Sequence, residues 1–168
     1  MKLIVAVCED WGIGKDGDQP FYIPEDLQYF KAKTLGKVMV MGRVTLAALP
    51  NGPLKRRKNV VLTRDASLVV AGASACNSLQ ELSQYLSQYN ADDIFVIGGQ
   101  QIYEQLLPYC DTAYVTKIFA TSPTDRFFPN LDNMDNWQLY SQSETKSHDG
   151  TEFCFCEYRN ISTRPRPT

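Results

Sequence analysis

An aspartate at the start of a predicted helix is the residue whose type and position most suggest chemistry. The segment Pro20 to Lys31 has the pattern of a loop end followed by the first turns of a helix, because Pro24 suits the first helical position. Asp26 would complement the positive end of the helix dipole there. Leu27 and Phe30 place apolar side chains beside it. A carboxylate on such a face is costly without a cationic or hydrogen-bond-donating ligand, so Asp26 is either a helix-start acid or a ligand-binding acid.

Two glycine-containing turns offer places for phosphate groups. Gly98-Gly99 and Gly42 to Thr45 each follow an apolar run and precede a helical segment. Phosphates bind backbone N–H groups at such turns because no Cβ blocks their approach. Neither segment matches Gly-x-Gly-x-x-Gly or a P-loop, and Gly-Gly also forms simple tight turns. Arg43 and Thr63-Arg64 would bring two guanidinium groups to this edge, which suits the extra phosphate of a dinucleotide.

The order of predicted elements indicates how these residues are positioned. Continuous apolar runs of strand length are typical of strands covered on both faces, and helical segments separate them. The predicted strands are 3–7, 38–41, 59–63, one or two short strands within 68–76, 94–97 and 112–118. The predicted helices are 24–34, 43 to before Pro50, 79–88 and 100–107. Strand-like runs 137–143 and 153–159 flank a polar turn at 148–150. The chain is therefore predicted to be α/β, with a mainly parallel central sheet of about eight strands, helices on both faces and a C-terminal antiparallel hairpin.

The remaining segments define one domain and a loop over its site. Residues 8–23 contain Gly12, Gly14 and Gly17 without any period, and a loop of this length is typically functional, often a lid. Residues 1–160 are predicted to form a single domain. Residues 161–168, which end in Arg-Pro-Arg-Pro-Thr, are predicted to be a frayed tail.

Composition excludes several classes of protein. The 168 residues are 43% hydrophobic and 21% charged with a net charge of −2, which predicts a soluble protein without a nucleic-acid or membrane partner. The apolar run at the N-terminus is too short for a signal peptide or a membrane span. Five scattered cysteines do not form a disulfide framework, so a cytoplasmic location is expected. Cys154 and Cys156 alternate with phenylalanines, which favours small core residues of a strand over metal ligands, and no metal is expected.

Several motifs occur together in an order and at spacings that are far more specific than any one of them. They are Ile13-Gly14, Pro24-x-Asp26-x-x-x-Phe30-Lys31, Met41-Gly42-Arg43-x-Thr45, Arg57-Lys58-Asn59, Val96-Ile97-Gly98-Gly99-x-x-Ile102-Tyr103, Thr116 and Phe128-Pro129. Over residues 2 to 159 the chain resembles bacterial dihydrofolate reductase. The resemblance implies the fold of this family and its activity, the reduction of 7,8-dihydrofolate to tetrahydrofolate for one-carbon metabolism. Hydride would pass from NADPH to pterin C6, and water would supply the proton at N5.

The resemblance also implies a role for each matching residue. Asp26 would bind pterin N3 and the 2-amino group, Thr116 would support Asp26, and Arg57 would pair with the α-carboxylate of the substrate. The implied catalytic positions are Asp26, Phe21 and Tyr103, with Phe21 standing where the family has a tryptophan. The implied substrate-binding residues are Val5, Ala6, Asp26, Leu27, Phe30, Leu49, Arg57, Ile97 and Thr116. The implied cofactor-binding residues are Ala6, Ile13, Gly14, Gly42, Arg43, Thr45, Leu62, Thr63, Arg64, Ile97, Gly98, Gly99, Gln100, Gln101, Ile102 and Tyr103.

Two other functions stay open at this point. One is the pyrimidine reductase of riboflavin synthesis. Asp26, Phe30 and Arg57 favour a folate substrate over the pyrimidine substrate of that enzyme. The other is a catalytically silent pterin or nucleotide binder, for which Phe21 is the one supporting feature. The expected partners are dihydrofolate and NADPH, with antifolate inhibitors as candidate ligands, and the expected state is a monomer.

Overall fold

A computed structural model describes residues 1–15 and 18–168. Within these ranges the strands are β1 Lys2–Val7, β2 Gly12–Gly14, β3 Val38–Gly42, β4 Lys58–Leu62, β5 Ala73–Cys76, β6 Ile94–Gly98, β7 Thr112–Ile118, β8 Arg126–Phe127, β9 Trp137–Gln142, β10 Lys146–His148 and β11 Thr151–Asn160. The α-helices are α1 Pro24–Thr34, α2 Arg43–Ala48, α3 Leu79–Leu86 and α4 Gln100–Leu106. No helix in the described ranges is long and apolar enough to cross a membrane.

The described strands form one sheet of nine and a separate pair. The order in the large sheet is β10-β11-β7-β1-β6-β3-β4-β5, with β9 also paired to β11, and β2 pairs with β8 outside it. The pairs from β7 to β5 are parallel, whereas β11 is antiparallel to β7, β9 and β10. The predicted fold class, a mainly parallel sheet with an antiparallel C-terminal part, is confirmed.

The C-terminal hairpin differs in detail from the prediction. The turn at Asp149 and Gly150 joins β10 to β11, and β9 pairs with a more distant part of β11. Both turn residues have positive φ, +49° and +80°, as a two-residue hairpin loop of type I′ requires. The predicted hairpin, in which the turn at 148–150 joins strands 137–143 and 153–159, does not include β10 because three residues are too few to show a period.

The parallel strands are buried on both faces, which explains their continuous apolar sequences. Met39 and Met41 of β3 lie in an apolar cluster with Leu46 of α2, and Phe30 of α1 packs against it. Val38 and Val40, which alternate with them, lie in a second cluster with Leu82 and Leu86 of α3 and with Ile102 and Leu106 of α4. Helices α1 and α2 therefore cover one face of the sheet, and α3 and α4 cover the other.

The loop predicted over 8–23 contains a short strand. Gly12–Gly14 forms β2 and pairs with β8, and the Asp125 N–H donates to the Gly14 carbonyl at 2.9 Å. Residues 16–17, and with them Gly17 of the predicted lid, lie outside the described residues. A strand of three residues, two of them glycines, carries no periodic signal, so the sequence could not show this pairing.

The two alternating cysteines of the C-terminal strand are part of the core. Cys154 and Cys156 are buried on one face of β11, and their Sγ atoms are 3.7 Å apart. Among the described residues no group of three or more His, Cys, Asp or Glu side chains could hold a metal ion.

The segment after Asn160 makes some contacts with the rest of the chain. The Arg164 N–H donates to the Pro108 carbonyl at 2.9 Å, and Arg166 and Pro167 line a small cavity beside α3. The division into a domain over 1–160 and a frayed tail over 161–168 stays a prediction.

Candidate active site

The glycine-containing turns lie together at one edge of the sheet. Strands β3, β4 and β6 are parallel neighbours, so their carboxyl ends lie side by side. Gly42 pairs with Leu62, and Met41 pairs with Gly98 after a shift in register. The turns at 42–45, 62–64 and 98–99 therefore share the edge at which parallel sheets bind ligands.

Glycine is required at two of these positions. Gly98 has φ +114°, and a Cβ there would lie 3.0 Å from the ring of Tyr103. A Cβ on Gly42 would lie 2.9 Å from Cγ1 of Ile102. The turn carries no side chain that would fill the space in front of α4, so a phosphate can approach its backbone closely. This open turn fits a dinucleotide cofactor.

Two arginines lie beside this edge with their side chains exposed. Arg43 opens α2 and Arg64 follows β4. Hydrogen bonds from Ser67 hold the pKa of Asp65 below its usual value, and the positive charge of Arg43 adds to this effect. Gly42 pairs with Leu62, so the segments that carry Arg43 and Arg64 begin side by side at this edge, as joint recognition of one phosphate requires.

Asp26 lies on α1 above the neighbouring strands β1 and β7. The hydroxyl of Thr116 donates to Asp26 Oδ1 at 2.6 Å, and Thr116 pairs with Ala6 of β1. Burial raises the pKa of Asp26, and the hydrogen bond from Thr116 opposes that rise. A desolvated carboxylate fixed by one neutral donor is expected to bind a ligand that presents N–H donors or positive charge.

The predicted apolar walls divide between the two faces of the sheet. Phe30, Leu49 and Ile97 pack against the cluster under α1 and α2, on the same face as Asp26, and Leu27 is exposed on α1. Val5 lies instead in the opposite cluster. Its side chain therefore points away from the face that carries Asp26, because strand residues alternate between faces, and its contact with substrate stays a prediction.

Tyr103 is enclosed rather than exposed to a ligand. Its hydroxyl donates to the Ile4 carbonyl at 2.7 Å, and burial raises its pKa far above the ordinary value. The ring packs under Gly98. The hydroxyl is thus already engaged as a donor, and the ring supports the glycine turn. The catalytic role of Tyr103 that the resemblance implies stays a prediction.

The residues that follow the glycine turn contribute in different ways. The side chain of Gln100 accepts a hydrogen bond from the Phe127 N–H at 2.8 Å and donates to Glu104 at 3.1 Å, so it fastens β8 to α4. Ile102 is buried against Gly42, whereas Gln101 is exposed. Only Gln101 of these three presents a free side chain at the surface of α4.

Arg57 is held by two acceptors at the other end of α1. Nη1 donates to Thr34 Oγ1 and Nε donates to the Lys55 carbonyl, each at 3.0 Å. Burial and the adjacent charge of Arg56 lower the pKa of Arg57. A guanidinium that is partly desolvated and fixed on one side is well prepared to bind a carboxylate on the other.

Two supporting residues of this region were missed as such by sequence reasoning. Thr34 is fully buried and links the Phe30 carbonyl, at 2.7 Å, to Arg57. Asn59 is buried and binds both backbone groups of Leu54 at 2.9 Å and the Arg57 carbonyl at 3.2 Å. Asn59 belongs to the motif Arg57-Lys58-Asn59, but its partners follow from the loop conformation and not from any pattern.

The family model described as dihydrofolate reductase matches residues 1–160. The chain belongs to the dihydrofolate reductase family. It is 39% identical over 166 residues to the dihydrofolate reductase of Bacillus subtilis, with 96% of each chain covered. It is 36% identical over 159 residues to that of Neisseria meningitidis, which covers 94% of this chain and 96% of the relative.

A solved structure supports the same assignment to the dihydrofolate reductase family. The dihydrofolate reductase of Enterococcus faecalis, complexed with NADP(H) and RAB-propyl, is 30% identical, covers 95% of each chain and superposes with a TM-score of 0.86. The family and fold expected from the motifs are thereby confirmed. The roles of individual site residues remain predictions.

Phe21, the main departure from the family pattern, lies in an apolar cluster. It packs against the cluster formed by Ile23, Ile118 and Phe153, and none of these side chains can replace an indole N–H. The next residue, Tyr22, is 73% exposed. The two side chains thus point in different directions, and only Phe21 faces the core.

We predict that Phe21→Trp changes the pH dependence of the hydride-transfer step, because an indole N–H can hold a water molecule where the phenyl ring cannot. Overpacking of the same cluster should lower the free energy of unfolding by about 1–3 kcal/mol. Single-turnover kinetics over pH and urea unfolding measure the two effects. Tyr22→Phe is the matched control and should alter neither; loss of turnover in that folded control would show that the tyrosine hydroxyl has the role assigned to position 21.

Proposed function

We propose that this chain is an NADPH-dependent dihydrofolate reductase, which converts 7,8-dihydrofolate to tetrahydrofolate for one-carbon metabolism. The observation that carries this proposal is the Asp26–Thr116 pair, a desolvated carboxylate at the edge where the glycine turns also lie. NADPH supplies the hydride when it is bound. We further propose that the protein acts as a monomer in the cytoplasm.

Asp26 orients the substrate and does not hand over the proton by direct contact. Its carboxylate binds the N3 and 2-amino edge of the pterin, which resembles a guanidine, and favours the protonated ring. Water supplies the proton at N5. Phe30, Leu49 and Ile97 form the apolar walls that keep the pterin in place, and Arg57 holds the α-carboxylate at the far end. Positioning of this kind accounts for most of the rate gain.

The cofactor site is formed by the edge that carries the two glycine turns. Gly98 and Gly99 bind the pyrophosphate through backbone N–H groups, and Arg43 and Arg64 bind the 2′-phosphate. Ile13 and Gly14 of β2 close the nicotinamide end. The open turn, in which a Cβ on Gly98 would meet Tyr103, supports this placement.

The function is tested by following the absorbance of NADPH with and without dihydrofolate. We expect oxidation of NADPH that depends on dihydrofolate and stops with an antifolate inhibitor, for which Asp26 is the proposed anchor. A protein that binds both compounds without oxidising NADPH would be a silent binder. Activity on the pyrimidine of riboflavin synthesis instead of dihydrofolate would identify the related reductase, which the Asp26 and Arg57 sites disfavour.

We predict that the double variant Arg43→Ala, Arg64→Ala loses the preference for NADPH over NADH. Charge-assisted hydrogen bonds contribute about 1.5–3 kcal/mol each, so the wild-type preference should be at least about tenfold in kcat/KM. Values of kcat/KM for both cofactors measure it. Arg126→Ala, which removes an exposed arginine of β8, is the control. A double variant with the wild-type preference would exclude these arginines from phosphate recognition.

A further inference from the structure

Lys117 of β7 lies in a polar and aromatic cluster formed with Trp11, Asp132 and Tyr158. Its Nζ is 2.9 Å from Asp132 Oδ2 and lies 5.4 Å and 5.5 Å from the ring centroids of Trp11 and Tyr158. The Tyr158 hydroxyl donates to Asp132 Oδ1 at 2.6 Å. A cation at this distance from an indole ring is attracted to its electron-rich face. Lys117 therefore ties Trp11 to Asp132 and Tyr158.

Trp11 has a backbone conformation that its surroundings must maintain. Its φ is +63°, a region that bulky residues rarely adopt, and its side chain is 7% exposed. The ring stacks on Phe128 at 6.2 Å between centroids. The Trp11 N–H donates to the Cys8 carbonyl, and the Phe128 N–H donates to the Trp11 carbonyl, each at 2.9 Å. Such a conformation persists when packing on all sides fixes it, and Lys117 supplies one of those sides.

The position of Trp11 determines where the next residues lie. Gly12–Gly14 follows it directly as β2, and Ile13 packs against the same apolar cluster as Trp11. Phe128 in turn meets the ring of Tyr103 edge-on at 5.0 Å, and Tyr103 packs under Gly98. The indole of Trp11 thus contacts, through one intervening ring, the residue that supports the pyrophosphate turn.

We propose that Lys117 is a positioning residue for the cofactor, which holds the Trp11 indole and thereby fixes Ile13 and Gly14 against the nicotinamide. The inference rests on the proposed function. Under this inference, the consecutive residues Thr116 and Lys117 of β7 have different roles, because their side chains lie on opposite faces of the sheet. Thr116 holds Asp26 on the face covered by α1, and Lys117 holds Trp11 on the opposite face.

The test replaces Lys117 by methionine, which keeps an unbranched side chain and removes the charge. We expect the dissociation constant of NADPH to rise about three- to tenfold, as loss of a partly desolvated cation–π contact implies. The dissociation constant of dihydrofolate should not change. Lys117→Arg should restore NADPH binding, because a guanidinium can serve both Asp132 and Trp11. Trp11→Phe is a second variant, which keeps an aromatic ring that attracts a cation less strongly than indole does. The dissociation constant of NADPH should rise in this variant as well.

Arg159→Met is the matched control. It removes a cation that lies 3.5 Å from the Tyr140 ring centroid and an ion pair with Glu157 at 2.9 Å, on a surface formed by β9 and β11. It should leave both dissociation constants unchanged. An equal loss of NADPH binding in this control, or equal weakening of NADPH and dihydrofolate in Lys117→Met, would mean general destabilisation and would overturn the proposal.

Fluorescence gives a readout that a purely structural role would not change. The sequence has two tryptophans, so in a Trp137→Phe background the emission comes from Trp11. We expect NADPH to quench Trp11 emission, and we expect Lys117→Met to require a higher NADPH concentration for the same quenching. In Lys117→Arg the required concentration should return to that of the parent. If the parent enzyme is active and Lys117→Met binds NADPH with unchanged affinity, the inference about Lys117 is overturned. A parent protein that binds no NADPH overturns the proposed function itself.

Discussion

Asp26→Asn is expected to lower turnover at neutral pH by at least about a hundredfold, in the range that positioned acid–base groups contribute. The amide keeps one acceptor for Thr116 but loses the charge that favours the protonated pterin. Activity should partly return as the pH falls, because more substrate is then protonated in solution. Steady-state rates over a range of pH measure this, and turnover close to that of the wild type at neutral pH would remove Asp26 from the site.

The same variant is expected to be more stable than the wild type at neutral pH. Burial raises the pKa of Asp26 in the folded protein, so the folded state binds this proton more tightly than the unfolded state does. The free energy of unfolding of the wild type therefore falls as the pH rises from the unfolded pKa through the folded one. The amide of Asp26→Asn cannot ionise, so the variant escapes that loss. Urea unfolding at acidic and neutral pH measures the difference.

Glu25→Gln is the control for both measurements. Glu25 precedes Asp26 in the first turn of α1 and is exposed, so it interacts with the same helix dipole without facing the site. Its removal should leave turnover unchanged and should slightly lower stability, because the dipole then loses a complementary charge. A loss of turnover in Glu25→Gln that matched Asp26→Asn would indicate a helix effect in place of a binding effect.

Arg57→Leu is expected to raise the KM for dihydrofolate by about 10–100-fold, the loss that follows from removing a charge-assisted hydrogen bond to a carboxylate. The KM for NADPH should not change, since Arg57 lies beyond the far end of α1, beside Thr34. Steady-state kinetics with each substrate varied in turn measure the effect. Arg56→Leu, which removes the exposed neighbouring arginine, should behave like the wild type.

A shortened substrate separates the carboxylate contact from a general effect of this variant. Dihydropteroate lacks the glutamate that carries the α-carboxylate, so the wild type should bind it as weakly as Arg57→Leu binds dihydrofolate. The variant should then show no further loss with dihydropteroate, because the interaction is already absent. Additive losses would mean that Arg57 acts elsewhere, and the assignment of this arginine would be wrong.

The parallel part of the fold could be predicted because it depends on local pattern. Runs such as Val38 to Met41 are apolar at every position, which is typical of strands covered on both faces. Gly98 could be placed at a turn between a strand and a helix, but Gly-Gly alone did not distinguish a phosphate-binding turn from a simple tight turn. The strand order predicts that ligands bind at the carboxyl ends of these strands, and the family motifs predict which residues there contact them.

The remaining features depend on contacts between residues far apart in the chain. Trp11 stands in a glycine-rich loop without any period, yet it is buried by Phe128 and Lys117, more than 100 residues further on. Tyr103 matched a family position, but its enclosure depends on the Ile4 carbonyl and Gly98. No single-sequence pattern reports such partners, because periodicity describes which face a residue occupies and not what meets it there.

The central claim is that this chain transfers hydride from NADPH to pterin C6 with Asp26 holding the pterin. A single turnover with NADPH deuterated at both C4 positions tests it most directly, with the product analysed by nuclear magnetic resonance and mass spectrometry. We predict one deuterium at C6 of tetrahydrofolate with the wild type, and the same product formed far more slowly with Asp26→Asn. Oxidation of NADPH without deuterium at C6, or an equal rate in the two proteins, would contradict the account.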